Sequence, residues 1–504
     1  MLLGDEAIAL GAIHAGLSGV YAYPGTPSTE ITEYIQGNQL AAERKIHCRW
    51  SANEKTAMEA ALGMSYMGKR AMVCMKHVGM NVCADAFVNS AMTGTNGGLV
   101  VVAADDPSMH SSQNEQDSRF YGKFAMVPVF EPSSQQEVYG MMKDAFELSE
   151  KHMVPVVMRM VTRMAHSRAV VATGEIKDQN PMTYPSNPKD WVLLPAVARK
   201  RNERLVGLQK EFLAEAENSK YNKFIDGKDT SLGIIACGIA YNYLMEHFKD
   251  GCPYPVLKVS QYPLPVNKVK ELAKKCDSLL ILEDGQPVVE EMLRGVLDQD
   301  IIAALGLKDE EVYPACELVV PRPPALCQGC GHRFMFEALN NVLKEYDNSR
   351  VFGDIGCYTL GYLPPYQALH SVVDMGASIT MAKGAADAGQ FPSVAVIGDS
   401  TFTHSGMTGL LDAVNEKTNI LVVISDNLTT GMTGGQDSAG TGRLESICRG
   451  LGVEPEHVRV VIPLPQHMEE MQNVIREELN YNGVSVVIPR RECIQTARRH
   501  NKKK

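Results

Sequence analysis

Two oxygen-bearing side chains follow two apolar segments of the sequence at equivalent places. Asp399 follows the run Ser393–Ile397 after Gly398, and Asn427 follows the next run, Ile420–Ser425. The composition of these runs predicts buried strands, and open α/β sheets place ligands at the carboxyl ends of their strands. A carboxylate and an amide oxygen suit a hard divalent cation, which often bridges a diphosphate. The pattern predicts a cation–diphosphate site, with an ordinary strand-end Asp in a turn as the alternative.

The segment that follows Asn427 is rich in Thr and Gly and extends from Thr429 to Gly435. Backbone N–H groups and hydroxyls in such a loop are suitable donors to phosphate oxygens. We therefore expect the diphosphate of a cofactor to lie between this loop and the ends of the two strands. The residues expected around it are Gly398, Asp399, Ser400, Asn427, Thr429, Gly431, Met432 and Thr433.

Four cysteines in the last part of the chain have the pattern of a metal site. Cys327 and Cys330 form a C-x-x-C pair, Cys357 follows a Gly, and Cys493 comes after the last apolar run. Four thiolates are the ligand set of a [4Fe–4S] cluster. Structural Zn²⁺ takes the same set, and Cys493 could instead be a buried free thiol with no metal bound. The other cysteines are interpreted as core or surface residues: Cys48, Cys74, Cys83, Cys237, Cys252, Cys276, Cys316 and Cys448.

Glu54 precedes a helical stretch, Thr56–Tyr66, and is three positions after Ser51. That spacing is typical of a capping box, in which the Ser and Glu side chains satisfy free N–H groups at the start of a helix. On the local pattern alone, capping is the simpler interpretation of Glu54. A role at a cofactor is the alternative, and only a wider likeness favours it.

Polar side chains also follow turns and strand-like runs in the first third of the chain. Cationic groups, hydroxyls and N–H donors at such places suit an anionic substrate with a carbonyl group. Simpler roles stay open, since Thr26 before Pro27 also fits a helix N-cap, and His77 also fits a loop histidine with satisfied hydrogen bonds. The candidate substrate residues are Thr26, Ser28, Lys76, His77 and Arg119.

Longer segments of the sequence carry a family resemblance. These segments are Tyr23–Ser28, Met75–Gly79, Asp105–Asp117, Cys327–Cys330 and Gly353–Tyr358. In order and over nearly the whole chain, they look like the α subunit of indolepyruvate:ferredoxin oxidoreductases. Gly-Asp followed beyond the next strand by Asn also resembles the magnesium–diphosphate motif of thiamine-diphosphate enzymes, although Ser400 stands where Gly is usual.

The resemblance implies thiamine diphosphate as the cofactor and gives several residues a role. Mg²⁺ would be held by Asp399, Asn427 and the backbone carbonyl of Thr429. Thr26 is expected at the cofactor or at the substrate.

The resemblance also assigns the acid that thiamine catalysis requires. Glu54 would hydrogen-bond the pyrimidine ring and so promote formation of the reactive C2 carbanion. His77 is the candidate proton donor. Gly376 and Ala377 would lie against the cofactor, with packing at a helix start as the alternative.

The implied reaction is the oxidative decarboxylation of a 2-oxo acid, with an aryl pyruvate such as indolepyruvate as the expected class. Electrons would pass to the [4Fe–4S] cluster, and coenzyme A or water would take the acyl group. A smaller β subunit of the 2-oxoacid oxidoreductase γ type is the implied partner, in a dimer of heterodimers. The family's usual C-terminal ferredoxin-like module, with two C-x-x-C-x-x-C-x-x-x-C-P runs, is not found in this sequence. We therefore expect a ferredoxin or a separate ferredoxin-like subunit to receive the electrons.

The elements that position these residues form three α/β blocks of alternating apolar runs and helical patterns. The expected fold class is α/β, with three doubly wound open-sheet domains. By the resemblance, two thiamine-diphosphate-binding folds flank a transketolase-C-terminal-like domain. The expected boundaries are 1–175 for the pyrimidine-binding domain, 176–230 for a linker and helix, 231–318 for the middle domain, and 319–504 for the diphosphate-binding domain.

Bulk properties exclude several classes of function. The formal net charge of −10 among 504 residues argues against nucleic acid as the main partner, because phosphate binding needs a concentrated basic face. No apolar run is long enough for a membrane span, and the acidic start is unlike a signal peptide. Twelve irregularly spaced cysteines fit a reducing cytoplasm better than a secreted disulfide scaffold.

Two other functions stay open at this point. A non-oxidative thiamine-diphosphate decarboxylase would keep Glu54, Asp399 and Asn427 but would have no use for the cysteine set. An assembly subunit with a vestigial site would need none of them.

Overall fold

The strands are short runs of Val, Ile, Leu, Met and Ala, and most are buried along their whole length. Parallel sheets covered by helices on both faces require this pattern, because neither face of the strand meets water. The structure, a computed structural model, describes residues 1–297 and 325–503. The chain divides into two compact units, the first formed by Met1–Phe212 with Leu326–Lys504 and the second by Leu213–Ala325.

The first sheet is parallel and its strands run in the order β5-β6-β4-β3-β1-β2. Because β1 and β3 are parallel neighbours, their carboxyl ends bring the turn after Ala22 beside Lys76. The strands are β1 Gly19–Ala22, β2 His47–Trp50, β3 Ala71–Lys76, β4 Leu99–Asp105, β5 Val129–Phe130 and β6 Val156–Val161. The helices are α1 Gly4–His14, α2 Thr29–Gly37, α3 Gln39–Glu43, α4 Glu54–Tyr66, α5 His77–Thr93, α6 Arg119–Ala125, α7 Gln135–His152, α8 Thr162–His166 and α9 Pro195–Glu217, with a 3₁₀ turn at Pro188–Trp191.

A second parallel sheet in the same unit has the order β13-β12-β14-β15-β17-β16. Gly398 at the end of β14 pairs with Ser425 at the end of β15, so Asp399 and Asn427 follow at one sheet edge. The strands are β12 Arg350–Gly353, β13 Ser371–Val372, β14 Ser393–Gly398, β15 Ile420–Ser425, β16 Val458–Val461 and β17 Val484–Pro489. The α-helices are α13 Gly331–Leu343, α14 Ala377–Asp387, α15 Asp399–Thr401, α16 Met407–Asn415, α17 Leu444–Gly450, α18 Met468–Leu479 and α19 Ile494–Lys503. A π-turn lies at Phe402–Gly406, and 3₁₀ turns lie at Cys357–Tyr362, Pro455–His457 and Pro465–His467.

The two sheets of this unit are joined by the contact between α4 and α14. A Cβ on Gly384 would stand 1.9 Å from the carbonyl oxygen of Ala60, and a Cβ on Gly63 would stand 2.4 Å from that of Met381. Both distances are far below van der Waals contact, so the helices touch backbone to backbone, which only Gly permits at these positions. At this crossing, residues 60–63 of α4 lie directly against residues 381–384 of α14.

The second unit contains a smaller sheet with the order β11-β8-β9-β7, in which only β7 is antiparallel. Ile234, Ala236, Leu244 and Val256 form its buried core. Its strands are β7 Lys223–Ile225, β8 Gly233–Cys237, β9 Val256–Val259 and β11 Leu279–Leu282, and the unit also contains the short strand β10 Gln261–Tyr262 and the helices α10 Ala240–His247, α11 Val266–Lys275 and α12 Val288–Leu297.

The predicted α/β class, with three mainly parallel sheets, is confirmed. The domain limits given above remain predictions, and the limit at 318/319 and Cys316 lie outside the described residues. Within the described ranges, no helix combines the length and the apolar character that crossing a bilayer requires.

Candidate active site

Asp399 begins the short helix after β14 and is 3% exposed. Its Oδ2 is buried without a hydrogen-bond partner among the described residues. Burial and the nearby charge of Asp426 raise the pKa of Asp399 to about 6, against the effect of hydrogen bonds from Ser400 and Ser438. A buried acceptor oxygen of this kind has the right chemistry for a cation ligand.

The loop after β15 folds back on itself and onto the start of this helix. The backbone N–H of Thr429 donates to Asn427 Oδ1 (3.1 Å), and the Thr429 hydroxyl donates to the Gln436 carbonyl (2.8 Å). Ser400 Oγ and Thr430 Oγ1 lie 2.9 Å apart, which ties the loop to the Asp399 helix. The hydroxyl of Thr433 also bonds to Gln436, whereas Met432 is 53% exposed. The loop that contains Asn427, Thr429 and Thr433 thus lies against the Asp399 helix through Ser400, with Met432 on its surface, and contacts of these residues with a cofactor remain a prediction.

The cysteine side chains adjoin this loop. A Cβ on Gly431 would stand 3.4 Å from Asn427 Nδ2, 3.5 Å from Cys357 Sγ and 3.8 Å from Cys493 Sγ. The predicted cation ligand Asn427 and two of the predicted cluster ligands therefore lie around the same loop residue.

Cys327 and Cys330 lie just before α13, where residues on either side of Cys493 contact this segment. Gln495 Nε2 donates to Cys327 Sγ (3.3 Å), and Arg491 Nη1 donates to the Gly329 carbonyl (2.7 Å). Burial raises the pKa of Cys357 to about 11, and the charges of Cys330, Cys493 and Cys327 add to the increase. Four thiols gathered in this way fit a positively charged metal group, which would stabilise their thiolate forms.

Glu54 is the first residue of α4, and Asn53 caps the helix. Asn53 Oδ1 accepts from the Thr56 N–H (2.8 Å), and the Asn53 N–H donates to Thr56 Oγ1 (3.2 Å). The capping box predicted for Ser51 and Glu54 is therefore wrong, because Asn53 and Thr56 form it two residues later. The Glu54 side chain is left free of that role.

A glycine on α5 makes room for the Glu54 carboxyl group. A Cβ on Gly79 would stand 2.8 Å from Glu54 Oε1 and 2.6 Å from its Cγ. Gly79 belongs to the Met75–Gly79 segment that carries the family resemblance. The sequence therefore marks Gly79 as a residue of interest but does not show that it contacts Glu54.

Lys55, next to Glu54, was not predicted as a site residue. Its ammonium group bonds Asp374 and lies 3.1 Å from Glu59 Oε1 and 3.2 Å from Asp85 Oδ2. Burial alone would lower the pKa of Lys55, but the charges of Glu59 and Asp374 raise it. The ion cluster links the start of α4 to the chain just before Gly376.

Gly376 and Ala377 lie at the start of α14. Gly376 has a φ of +102°, and a Cβ there would stand 2.4 Å from Ser405 Oγ. The helix-start role considered for this pair is present, and a contact with the cofactor remains a prediction.

The candidate substrate residues near the first sheet form one group. A Cβ on Gly25 would stand 3.1 Å from Lys76 Cβ, so the turn that contains Thr26 packs on Lys76. The N-cap predicted for Thr26 is wrong, because α2 begins at Thr29. Ser28 is buried and its hydroxyl donates to the Gly25 carbonyl (2.7 Å), whereas Thr26 is exposed.

Lys76 and His77 are held by the loop that follows β4. Lys76 Nζ donates to the Ser111 carbonyl (2.7 Å), and His77 Nε2 lies 3.1 Å from the Asn114 carbonyl. His77 Nδ1 is buried without a hydrogen-bond partner among the described residues. The structure therefore joins the Tyr23–Ser28, Met75–Gly79 and Asp105–Asp117 segments at one edge of the sheet.

The guanidinium group of Arg119 is not available to a substrate in the way that the sequence analysis expects. It is 1% exposed, and its guanidinium bonds Asp117 through Nε (2.9 Å) and Nη2 (2.5 Å). Its Nη1 lies 3.5 Å from Glu131 Oε2. The guanidinium belongs to a buried ion network, so the expectation of a substrate contact through Arg119 is not supported by its position.

Asp354 is a further buried group that sequence reasoning did not single out. It accepts hydrogen bonds from the hydroxyls of Tyr358 and Ser378. Burial raises the pKa of Asp354 to about 7, against the effect of those two bonds. Its place in the Gly353–Tyr358 segment was the available signal.

Known protein families match both halves of the first unit. Residues 10–203 match the family described as pyruvate flavodoxin/ferredoxin oxidoreductase, thiamine diP-bdg. Residues 354–488 match the C-terminal TPP-binding domain of thiamine pyrophosphate enzymes. Binding of thiamine diphosphate by this chain follows from these two matches.

Similar proteins cover almost the whole chain. Indolepyruvate oxidoreductase subunit IorA of Archaeoglobus fulgidus is 40% identical over 98% of this chain and 86% of its own length. The IorA proteins of Methanothermobacter thermautotrophicus and Pyrococcus abyssi are 37% and 36% identical, each over 98% of this chain and over 86% and 85% of their own lengths. An X-ray structure described as a thiamin diphosphate-dependent enzyme from Mycobacterium smegmatis superposes with a TM-score of 0.51 at 15% identity, over 97% of this chain and 99% of that one, and this likeness shows the fold alone. With this extent of identity, the chain belongs to the family of indolepyruvate oxidoreductase subunit IorA, among the thiamine-diphosphate-dependent 2-oxoacid oxidoreductases.

Proposed function

We propose that this chain is the catalytic subunit for oxidative decarboxylation of an aryl pyruvate such as indolepyruvate, in the cytoplasm. Electrons would pass to a [4Fe–4S] cluster held by Cys327, Cys330, Cys357 and Cys493, and the acyl group to coenzyme A. The observation that carries the proposal is the position of Gly431, whose Cβ position lies within 3.8 Å of Asn427 Nδ2 and of the sulfurs of Cys357 and Cys493. A cofactor anchored at Asn427 would have the cluster beside it.

The diphosphate end would be held by the edge of the second parallel sheet. Asp399 Oδ2, Asn427 and the Thr429 carbonyl would bind Mg²⁺, and the loop through Thr433 would donate to phosphate oxygens. Thiamine diphosphate supplies the carbon nucleophile that makes loss of CO₂ from a 2-oxo acid possible. The Ser400–Thr430 bond keeps the loop closed over this edge.

Glu54 would act on the pyrimidine end. Its carboxyl group is positioned by the α4 start and by the space that Gly79 leaves. It would donate a proton to a ring nitrogen of the aminopyrimidine and hold it there. The Lys55–Asp374 ion pair, beside it, would keep the helix start rigid.

The substrate carboxylate would be bound by Lys76 and the Thr26 hydroxyl, and by the Ser28 hydroxyl once it turns away from the Gly25 carbonyl to which it donates. Lys76 is a cation whose Nζ has donors beyond the one used on Ser111, and His77, the next residue, has an Nδ1 without a hydrogen-bond partner among the described residues. His77 would transfer a proton through that nitrogen. Coulomb attraction and direct donors in a buried site favour an anionic substrate.

The partner would be a smaller subunit of the 2-oxoacid oxidoreductase γ type, in a dimer of heterodimers. The relatives are named as subunits, which supports a heteromeric enzyme. Electrons would leave the cluster for a ferredoxin or for a separate ferredoxin-like subunit.

The proposal is tested with protein purified without oxygen, together with the candidate partner subunit. We expect broad absorbance near about 400 nm, four Fe per chain, and dye reduction that depends on a 2-oxo acid and increases with coenzyme A. Cys357→Ser should lose the absorbance and the dye reduction, whereas the control Cys276→Ser should keep both. Zinc in place of iron, or CO₂ release by a colourless protein, would contradict the cluster and favour the non-oxidative decarboxylase.

The substrate class is tested by comparing kcat/KM for indolepyruvate, phenylpyruvate, pyruvate and 2-oxoglutarate. We expect the two aryl pyruvates to exceed the others by at least tenfold. If thiamine diphosphate with Mg²⁺ neither binds in calorimetry nor raises the melting temperature, the site is vestigial and the chain is an assembly subunit.

A further inference from the structure

Three helices around the first sheet bring three potential metal ligands together. Asp5 lies in the first turn of α1, Glu30 in the first turn of α2, and His166 at the end of α8. One side-chain ligand atom from each lies within 4.8 Å of the other two. Glu30 Oε1 and His166 Nε2 are 3.5 Å apart.

Asp5 is the unusual member of this group. It is 0% exposed, and neither of its carboxylate oxygens has a hydrogen-bond partner among the described residues. Glu30 Oε2 is likewise buried without one in the same part of the chain. Three unpartnered carboxylate oxygens are costly to bury, because each loses its bonds to water without replacement.

The electrostatic surroundings add to that cost. Burial raises the pKa of Asp5 well above its ordinary value, and the negative charges of Glu30 and Glu6 raise it further. A bound cation would remove this cost by pairing with both carboxylates.

The backbone is built so that the ligands can meet. A Cβ on Gly4 would stand 2.2 Å from the Met164 carbonyl oxygen and 3.1 Å from Ala165 Cα, so only Gly lets α1 approach α8 this closely. Leu2 and Ala169 also exchange two backbone hydrogen bonds, of 2.9 and 3.1 Å. These contacts involve residues just before Asp5 and residues on either side of His166, and they hold the two side chains next to each other.

We propose that Asp5, Glu30 and His166 bind a divalent first-row transition-metal ion that links α1, α2 and α8. One imidazole with two carboxylates suits Zn²⁺ or Mn²⁺. Ligand atoms about 2.1 Å from a tetrahedral ion stand about 3.4 Å apart, close to the separation of Glu30 and His166. The His166 side chain is 38% exposed, so water can complete the coordination. This site uses none of the residues proposed for thiamine diphosphate or for the cluster.

Mn²⁺ is the probe that separates this site from the other two. Protein stripped of exchangeable metal is first saturated with thiamine diphosphate and excess Mg²⁺, so that the diphosphate site is already occupied. The cysteine site does not compete for the probe, because thiolates bind Mn²⁺ poorly. Loss of the free-ion EPR signal then counts bound Mn²⁺. We expect one more Mn²⁺ per chain in the natural protein than in Asp5→Asn, Glu30→Gln or His166→Gln, and displacement of that ion by Zn²⁺.

The control is Glu33→Gln, which removes an exposed carboxylate from the same helix as Glu30 and should keep the extra ion. Equal Mn²⁺ binding by the natural protein and Asp5→Asn would overturn the proposal, and Asp5 would then be a neutral acid that shares its proton with Glu30. If Asp5→Asn does not fold, His166→Gln decides in the same way, because its side chain is partly exposed.

Discussion

The backbone N–H of Cys493 donates to the backbone carbonyl of Asn427 at 3.0 Å. A residue proposed for the cluster and a residue proposed for Mg²⁺ are therefore joined main chain to main chain. Their side chains approach the same loop residue, Gly431, but offer different ligand atoms, an amide oxygen and a thiol sulfur, so the two sites adjoin and keep separate ligands.

This arrangement predicts that the two sites can be lost separately. Cys493→Ser leaves the N–H donor in place, so we expect iron content to fall to less than half while the affinity for thiamine diphosphate changes less than threefold. Asn427→Ala should do the reverse and weaken the cofactor at least tenfold. Iron analysis and calorimetric titration measure the two effects, and parallel loss of both properties in Cys493→Ser would contradict the separation.

Two substitutions of increasing size at Gly431 test whether the cofactor site and the cluster site adjoin at this residue. A Cβ there meets its neighbours at 3.4 to 3.8 Å, which is ordinary contact, so Gly431→Ala should be tolerated. Gly431→Leu adds four carbons to a space bounded by Asn427, Cys357 and Cys493, and we expect it to lower both iron content and cofactor affinity. Wild-type values in Gly431→Leu would show that the loop stands away from both sites in solution.

Gly79→Ala should displace the Glu54 carboxyl group. Its Cβ would lie 2.6 Å from Glu54 Cγ, and we expect CO₂ release to fall at least tenfold while the melting temperature changes little, because the Glu54 side chain can swing away. Gly207→Ala, on α9 with nothing within 4 Å of its Cβ, is the matched control and should raise stability by up to about 1 kcal/mol. Full activity in Gly79→Ala would remove Glu54 from the proposed role.

Local sequence patterns predicted the strands and the loop after β15 well, because each depends on a short run. Asp399, Asn427 and Thr429 were placed at one edge by the rule that parallel strands end together. The cap of α4 was assigned to Ser51 and not to Asn53, because Ser and Asn cap equally well and the choice depends on where β2 ends. Lys55 could not be interpreted from sequence, since its partner Asp374 becomes a neighbour only in the folded chain. Arg119 is expected at the substrate from sequence, but burial in the folded chain pairs it with Asp117 and Glu131.

Lys55 is expected to contribute strongly to stability through its buried partners. Lys55→Met leaves Asp374 and Glu59 without their cation, and we expect a loss of about 3–5 kcal/mol in the free energy of unfolding. Lys55→Met combined with Asp374→Asn should recover part of this loss, because one uncompensated carboxylate is gone. Urea unfolding of the single and double variants gives the coupling energy, and additive effects would mean that Lys55 and Asp374 act independently.

Asp354 should make stability depend on pH between about 4 and 7. Its pKa is about 7 in the folded protein, because burial outweighs the bonds from Tyr358 and Ser378, against about 3.9 in the unfolded chain. The folded state therefore holds a proton that the unfolded state has released, and stability is lost as the pH rises through this range, by up to about 4 kcal/mol. Asp354→Asn cannot ionise, so its free energy of unfolding relative to the natural protein should rise from pH 4.5 to pH 8. A difference that stays constant over that range would mean that Asp354 is ionised in the folded protein throughout.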